Sequence, residues 1–109
     1  MSDCIIIGAG PAGLTAAIYL ARFHLSIRLF DCGSSRAALI PNTRNHAGFP
    51  GGIAGTELLE RMREQAAQFG ATRIEAEVDR IVARDDGDFT VDVGGEEHHA
   101  RSVLLATGV

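Results

Sequence analysis

The stretch Gly8-Ala9-Gly10-Pro11-Ala12-Gly13 has the residue types and the spacing to cradle a phosphate. It directly follows the apolar run Cys4-Ile5-Ile6-Ile7 and directly opens a helical pattern. Strand, glycine turn and helix in that order form the dinucleotide-binding fingerprint in the context that gives it meaning. Gly8 permits the tight turn, Gly10 lets the backbone approach a pyrophosphate, and Gly13 lets the helix pack close to the strand. Pro11 suits the first helical position, where its missing N–H costs nothing. The helix start then offers N–H groups and a partial positive charge to the phosphates. Ser26-Ile27-Arg28-Leu29-Phe30 reads as a second strand, and Asp31 ends it. A carboxylate about 20 residues beyond the glycines can accept both ribose hydroxyls of an adenosine, and it disfavours a 2′-phosphate by charge repulsion. These residues predict an adenine-dinucleotide site.

The elements that must position this site follow from periodicity. A helix over 11–23 carries Leu14, Ala17, Ile18 and Ala21 at helical spacing, a face suited to packing on a sheet. Residues 33–55 have no clear period and hold Pro41, Pro50, Gly48, Gly51 and Gly52. They read as a long ordered loop, and loops of that length are usually functional, so contact with the ligand is expected. A second helix over 56–69 presents Leu58, Leu59, Met62, Ala66 and Phe69, and Gly70 stops it. Short β segments are predicted over 72–76, 78–84, 88–93 and 97–101, with hairpin turns at Asp85-Asp86-Gly87 and Gly94-Gly95. The run Ser102-Val103-Leu104-Leu105-Ala106 suits a buried parallel strand. The fold class is therefore α/β, a Rossmann-like parallel sheet with helices and a small antiparallel β-meander.

The 109 residues allow one domain with a single core. A net charge of −4 with interspersed arginines argues against a nucleic-acid surface. No apolar run reaches the length of a membrane span, and no basic region precedes the first apolar run, so no membrane partner and a cytoplasmic location are expected. All ten basic residues are arginine, which excludes lysine Schiff-base chemistry and a P-loop lysine within this chain. Cys4 and Cys32 fall at opposite ends of neighbouring parallel strands, roughly 13 Å or more apart at about 3.3 Å per residue, too far for a disulfide. Cys4 reads as a core residue and Cys32 as a loop residue beside the cofactor. No calcium-loop spacing exists among the aspartates, and His98 and His99 point to opposite faces of a strand, so no metal site is predicted. His24 reads as a charge complement at the end of the first helix. His46, in the long loop, is the one histidine with a functional reading.

Four separated motifs resemble one family. Gly8-Ala9-Gly10-Pro11-Ala12-Gly13-Leu14 looks like the flavoprotein version of the fingerprint. Asn45-His46-Ala47-Gly48-Phe49-Pro50 with Ile53-Ala54-Gly55-Thr56-Glu57-Leu58 resembles the N-x-P-G-F-P…G-x-E-L stretch of thioredoxin reductases. The meander after Gly70 is similar to the three-stranded β insert of that fold, and Leu105-Ala106-Thr107-Gly108 to the A-T-G motif that closes the first FAD segment. Two positions depart from the pattern. Ser34-Ser35-Arg36 stands where Gly-Gly-Gln is usual, and Ala47 replaces a proline, which points to a relative of thioredoxin reductases.

The resemblance implies a partial FAD-binding domain of the two-dinucleotide-fold flavoproteins, spanning 1–109, with the nicotinamide domain and the second FAD segment absent. It implies hydride transfer from NAD(P)H to FAD and onward to a disulfide or a redox protein, the cofactor carrying the chemistry. By the same resemblance Gly8, Gly10, Pro11, Ala12 and Gly13 would serve the pyrophosphate and Asp31 the ribose. Arg36 would lie where the loop wraps the cofactor, Asn45 near the flavin end, His46 in the same cofactor loop, Val78 at the adenine, and Ala106, Thr107 and Gly108 beside the cofactor. No catalytic residue is assigned, and catalysis by this chain alone is not expected. Residues alone reach only an adenine dinucleotide; FAD rather than NAD rests on the resemblance. The alternatives are a noncatalytic fragment and a small dinucleotide-binding module without redox activity. Uncovered sheet edges and apolar faces predict a homo-oligomer.

Overall fold

The computed structural model describes residues 1–33 and 36–108, the latter without the side chain of Arg36. Expectations at Ser34, Ser35 and the Arg36 guanidinium therefore lie outside the described residues. A six-stranded sheet organises the chain, in the order β3-β2-β1-β6-β5-β4. Its centre is β1, Ser2–Ile7, where Ile5 and Ile6 are both fully buried although they face opposite sides. Burial on both faces explains why this strand is a continuous apolar run instead of an alternating one.

Helix α1, Pro11–Arg22, buries Gly13, Leu14, Ala17, Ile18 and Ala21. It ends where Phe23 leaves helical geometry and His24 takes a left-handed conformation, φ 63°, its N–H bonded to the Ala21 carbonyl. That places His24 in the position usually given to glycine at a helix stop. Strand β2, Ile27–Asp31, then runs parallel to β1, with Phe30 beside Ile7. A 3₁₀ turn, Arg36–Leu39, leads into the long connection. This connection is ordered by reciprocal backbone bonds between Thr43 and Ile53 of 2.7 and 2.9 Å, and Ile53 is buried. Helix α2, Gly55–Gln68, packs Leu58, Leu59, Met62 and Ala66 with the apolar face of α1 and with Cys4, Ile6, Ile27 and Leu29 of the sheet. Each fully buried leucine here, Leu14 among them, contributes about 2 kcal/mol of apolar transfer.

Two features of the sheet differ from the sequence expectation. Strand β3, Thr72–Glu75, is not part of the meander; it pairs parallel to β2 and forms one sheet edge. Short strand length and alternating polar residues describe any edge strand, so pattern alone could not assign its partner. The segments expected as separate strands over 97–101 and 102–106 are one strand, β6, Glu96–Leu105. Its first half pairs antiparallel with β5, Phe89–Val93, and its second half parallel with β1. Strand β4, Arg80–Ala83, completes the meander at the other edge.

A second apolar cluster joins Ile5 and Phe30 of the parallel half to Val91 and Ala100 of the antiparallel half. The meander thus covers the face of the sheet opposite the helices. His98 belongs to this layer: its ring meets Phe30 edge-on at 4.9 Å, and Arg28 Nη1 donates to His98 Nδ1 at 2.8 Å. An arginine has no acceptor, so this nitrogen must be the acceptor of the ring. Cys4 is buried and Cys32 exposed, with no disulfide between them. Among the described residues no cluster of metal-ligating side chains occurs, and no helix is long and apolar enough to cross a membrane.

Candidate dinucleotide site

Three of the parallel strands, β2, β1 and β6, end side by side, and a cleft of about 550 Å³ opens beyond those ends. This is the crevice where open α/β sheets bind ligands. Its volume falls within the roughly 300–1,000 Å³ of small-molecule sites. Gly8 to Ala12 form one wall, the β2 end with Phe30, Asp31 and Cys32 a second, and Ala106, Thr107 and Gly108 a third. Ala76, Glu77 and Val78, on the connection from β3 to β4, face them, and Ala37 comes from the 3₁₀ turn.

Gly8 is the knot of this arrangement. Its φ is 106°, its N–H donates to the Phe30 carbonyl at 2.8 Å, and a Cβ placed on it would lie 2.2 Å from the Ala106 carbonyl oxygen. Beside it, the Ala106 N–H donates to the Ile7 carbonyl at 2.8 Å. Gly13 serves packing: a Cβ there would lie 1.9 Å from the Gly8 carbonyl oxygen, and the residue does not line the cleft. Helix α1 begins with Gly10 as its extended N-cap, with no side-chain cap and no acidic residue in its first turn. The Leu14 N–H is bonded to the Gly10 carbonyl, so the N–H of Ala12, on the cleft wall, precedes the first intrahelical bond. Among the described residues the lining has no cation, and its acids are Asp31 and Glu77. A phosphate here must be held by backbone N–H groups and the helix dipole, and nothing in the helix competes for them.

Asp31 Oδ2 accepts from Arg73 Nε at 2.8 Å, and Oδ1 accepts from Arg73 Nη2 at 3.3 Å and from the Gly33 N–H at 2.6 Å. Of the residues singled out from the sequence, Gly8, Gly10, Pro11, Ala12, Asp31, Val78, Ala106, Thr107 and Gly108 are brought together around the cleft. Asn45 and His46 are not. Asn45 Oδ1 accepts from the Thr43 hydroxyl at 2.9 Å, while His46 leans on Phe49 and its Nδ1 lies 3.0 Å from the Ala47 carbonyl oxygen. Among the described residues of the long loop it is Ala37 that reaches the lining. Sequence reasoning missed Glu77 and Arg73. Glu77 follows a short edge strand with no motif around it, and Arg73 reaches Asp31 across 42 residues, a relation no local spacing reveals.

Comparison with known proteins decides the family. The profile of the pyridine nucleotide-disulphide oxidoreductases matches residues 2–109. The chain belongs to this family.

Its relatives place it more finely. The thioredoxin reductase of Mycolicibacterium smegmatis is 46% identical over 108 residues, covering 97% of this chain and 34% of that protein. That of Streptomyces coelicolor is 40% identical over 114 residues, covering 99% and 35%. Among solved structures, a thioredoxin reductase from Gloeobacter violaceus superposes with a TM-score of 0.91 at 34% identity, over 98% of this chain and 34% of that one. The atypical thioredoxin reductase from Desulfovibrio vulgaris Hildenborough gives 0.92 at 38% identity, over 100% and 36%. The chain spans about a third of the length of these relatives. It is thus similar, over nearly its whole length, to about a third of these thioredoxin reductases, and the cleft has the parts that a dinucleotide such as FAD requires: an uncapped helix start for a pyrophosphate and a carboxylate for a ribose.

Proposed function

We propose that this chain holds FAD in the cleft as part of a pyridine-nucleotide-dependent flavin oxidoreductase of the thioredoxin-reductase type. When bound, FAD would take a hydride from NAD(P)H and deliver the electrons to a disulfide or a redox protein. The residues of the chain do the holding. The Gly10–Ala12 backbone faces the pyrophosphate, Asp31 the adenosine ribose, Val78 the adenine, and Ala106, Thr107 and Gly108 close the far wall. Gly13 and Gly8 set the distance between helix and strands. The observation that carries this reading is the uncapped, acid-free start of α1 opening into a cleft at the ends of β1, β2 and β6.

The test is the visible spectrum of the purified chain after addition of FAD and desalting. Retention of a shifted flavin band is expected. Ala12→Asp is expected to leave α1 intact, since an acid suits a helix start, yet to weaken FAD binding at least about tenfold through repulsion of the phosphates. Equal retention by the variant would sink the pyrophosphate assignment. A folded chain that holds no flavin would favour the alternative of a scaffold without redox activity of its own.

Self-association belongs to the same proposal. Leu104 and Leu105 remain 39% and 66% exposed at the end of β6, and β3 and β4 are open edges. A mass by light scattering that grows with concentration is expected; a monomer throughout the range would refute it.

A further inference from the structure

Asp31 is more committed than a ribose-binding carboxylate needs to be. Strands β2 and β3 are in register with Leu29 beside Arg73 and Asp31 beside Glu75, so Arg73 and Asp31 lie on one face of the sheet, two residues apart along it. From there the guanidinium of Arg73 forks onto the carboxylate, Nε to Oδ2 at 2.8 Å and Nη2 to Oδ1 at 3.3 Å. The Gly33 N–H adds a third bond, to Oδ1 at 2.6 Å. The Asp31 side chain is only 9% exposed and that of Arg73 30%, so the pair is partly shielded from water.

A carboxylate offers about four lone-pair directions. Among the described residues three are filled from within the chain, two on Oδ1 and one on Oδ2, which leaves one, on Oδ2. A carboxylate held in this way accepts from one hydroxyl of a vicinal pair and has no second place for the other. The planar fork also fixes the rotation of the carboxylate, which a lysine could not do.

We infer that Arg73 is a specificity-determining positioning residue, which holds Asp31 so that the cleft reads one of the two hydroxyls of the adenosine ribose. The inference rests on the dinucleotide reading of the cleft. Arg73 does not itself line the cleft; it acts through Asp31. Its effect is therefore on which hydroxyl is read as well as on how tightly the nucleotide is held.

The experiment is calorimetric titration of the chain with ADP, 2′-deoxy-ADP and 3′-deoxy-ADP, for the parent sequence, Arg73→Ala and Arg73→Lys. In the parent, loss of one hydroxyl is expected to weaken binding by roughly tenfold and loss of the other by less than about threefold, since a hydrogen bond to a charged acceptor carries an effect of that order. In Arg73→Lys, which keeps the charge and loses the fork, ADP still binds but the difference between the two deoxy analogues disappears. Arg73→Ala is expected to lose that difference too and to bind ADP roughly tenfold more weakly. A purely structural role for Arg73 would lower stability and leave the discrimination intact. Unchanged discrimination in folded Arg73→Lys, or equal losses for both analogues in the parent, would overturn the inference while leaving the dinucleotide site standing. Failure of the parent to bind either ADP or FAD would overturn the dinucleotide reading, and this inference with it.

Discussion

Gly8→Ala is expected to destabilise the chain by about 3 kcal/mol and to abolish retention of FAD. Two costs combine at this position. The backbone has φ 106°, which an L side chain reaches only at an expense of about 1–2 kcal/mol. The new methyl would also lie 2.2 Å from the Ala106 carbonyl oxygen, 2.6 Å from its carbon and 2.9 Å from the Thr107 nitrogen. These are backbone atoms that cannot swing aside, and overpacking of this kind costs about 1–3 kcal/mol. Relief requires the end of β6 to part from β1, breaking the bond from the Ala106 N–H to the Ile7 carbonyl and widening the cleft.

Gly70→Ala is the matched control. Its φ is also positive, 93°, but a Cβ there meets nothing within 4 Å, so only the conformational cost of about 1–2 kcal/mol applies. Urea denaturation followed by circular dichroism separates the two, the midpoint shifting at constant slope. Equal losses in the two variants would mean that the close approach of Gly8 to the end of β6 contributes nothing.

Gly8 also marks how far the sequence could be read. The spacing of Gly8, Gly10 and Gly13 after an apolar run, with Pro11 at the helix start, identified the turn and the helix because each residue type answers a local steric demand. Leu14, Ala17, Ile18 and Ala21 named the buried face of α1 for the same reason, since periodicity is a local property. What escaped was set by pairing between distant segments. Thr72–Glu75 reads as a strand in either setting, yet it chose β2 over the meander. Glu96–Leu105 reads as two strands because its first half is amphipathic and its second apolar; in the sheet one strand has two kinds of neighbour. In the site, Asp31 was legible from its distance to the glycines, whereas Arg73 and Glu77 were not, because their relation to the cleft exists only once β3 lies beside β2. Asn45 and His46 show the reverse: a motif resemblance placed them near a cofactor, while the cleft formed by the described residues is lined without them.

Phe30→Ala tests the joint between the two halves of the sheet. Phe30 is 1% exposed, lines the cleft, and meets the His98 ring edge-on at 4.9 Å on the face opposite the helices. Truncation removes the largest side chain of the cluster that joins the parallel strands to the meander, and losses of about 3–5 kcal/mol accompany such phenylalanine deletions. Phe30→Leu keeps most of the volume and is expected to lose less than about 1.5 kcal/mol. The location of the damage is as informative as its size. Val91 and Ala100 share a cluster with Phe30, whereas Leu14, Ala17, Leu58 and Leu59 belong to the cluster on the helical face. Hydrogen exchange of the backbone amides in β5 and the first half of β6 should therefore accelerate in Phe30→Ala well before that of α1. Uniform acceleration across both halves would instead show that the sheet opens as a single unit, with the meander held by its strand pairing to β1 and not by the side chains beneath it.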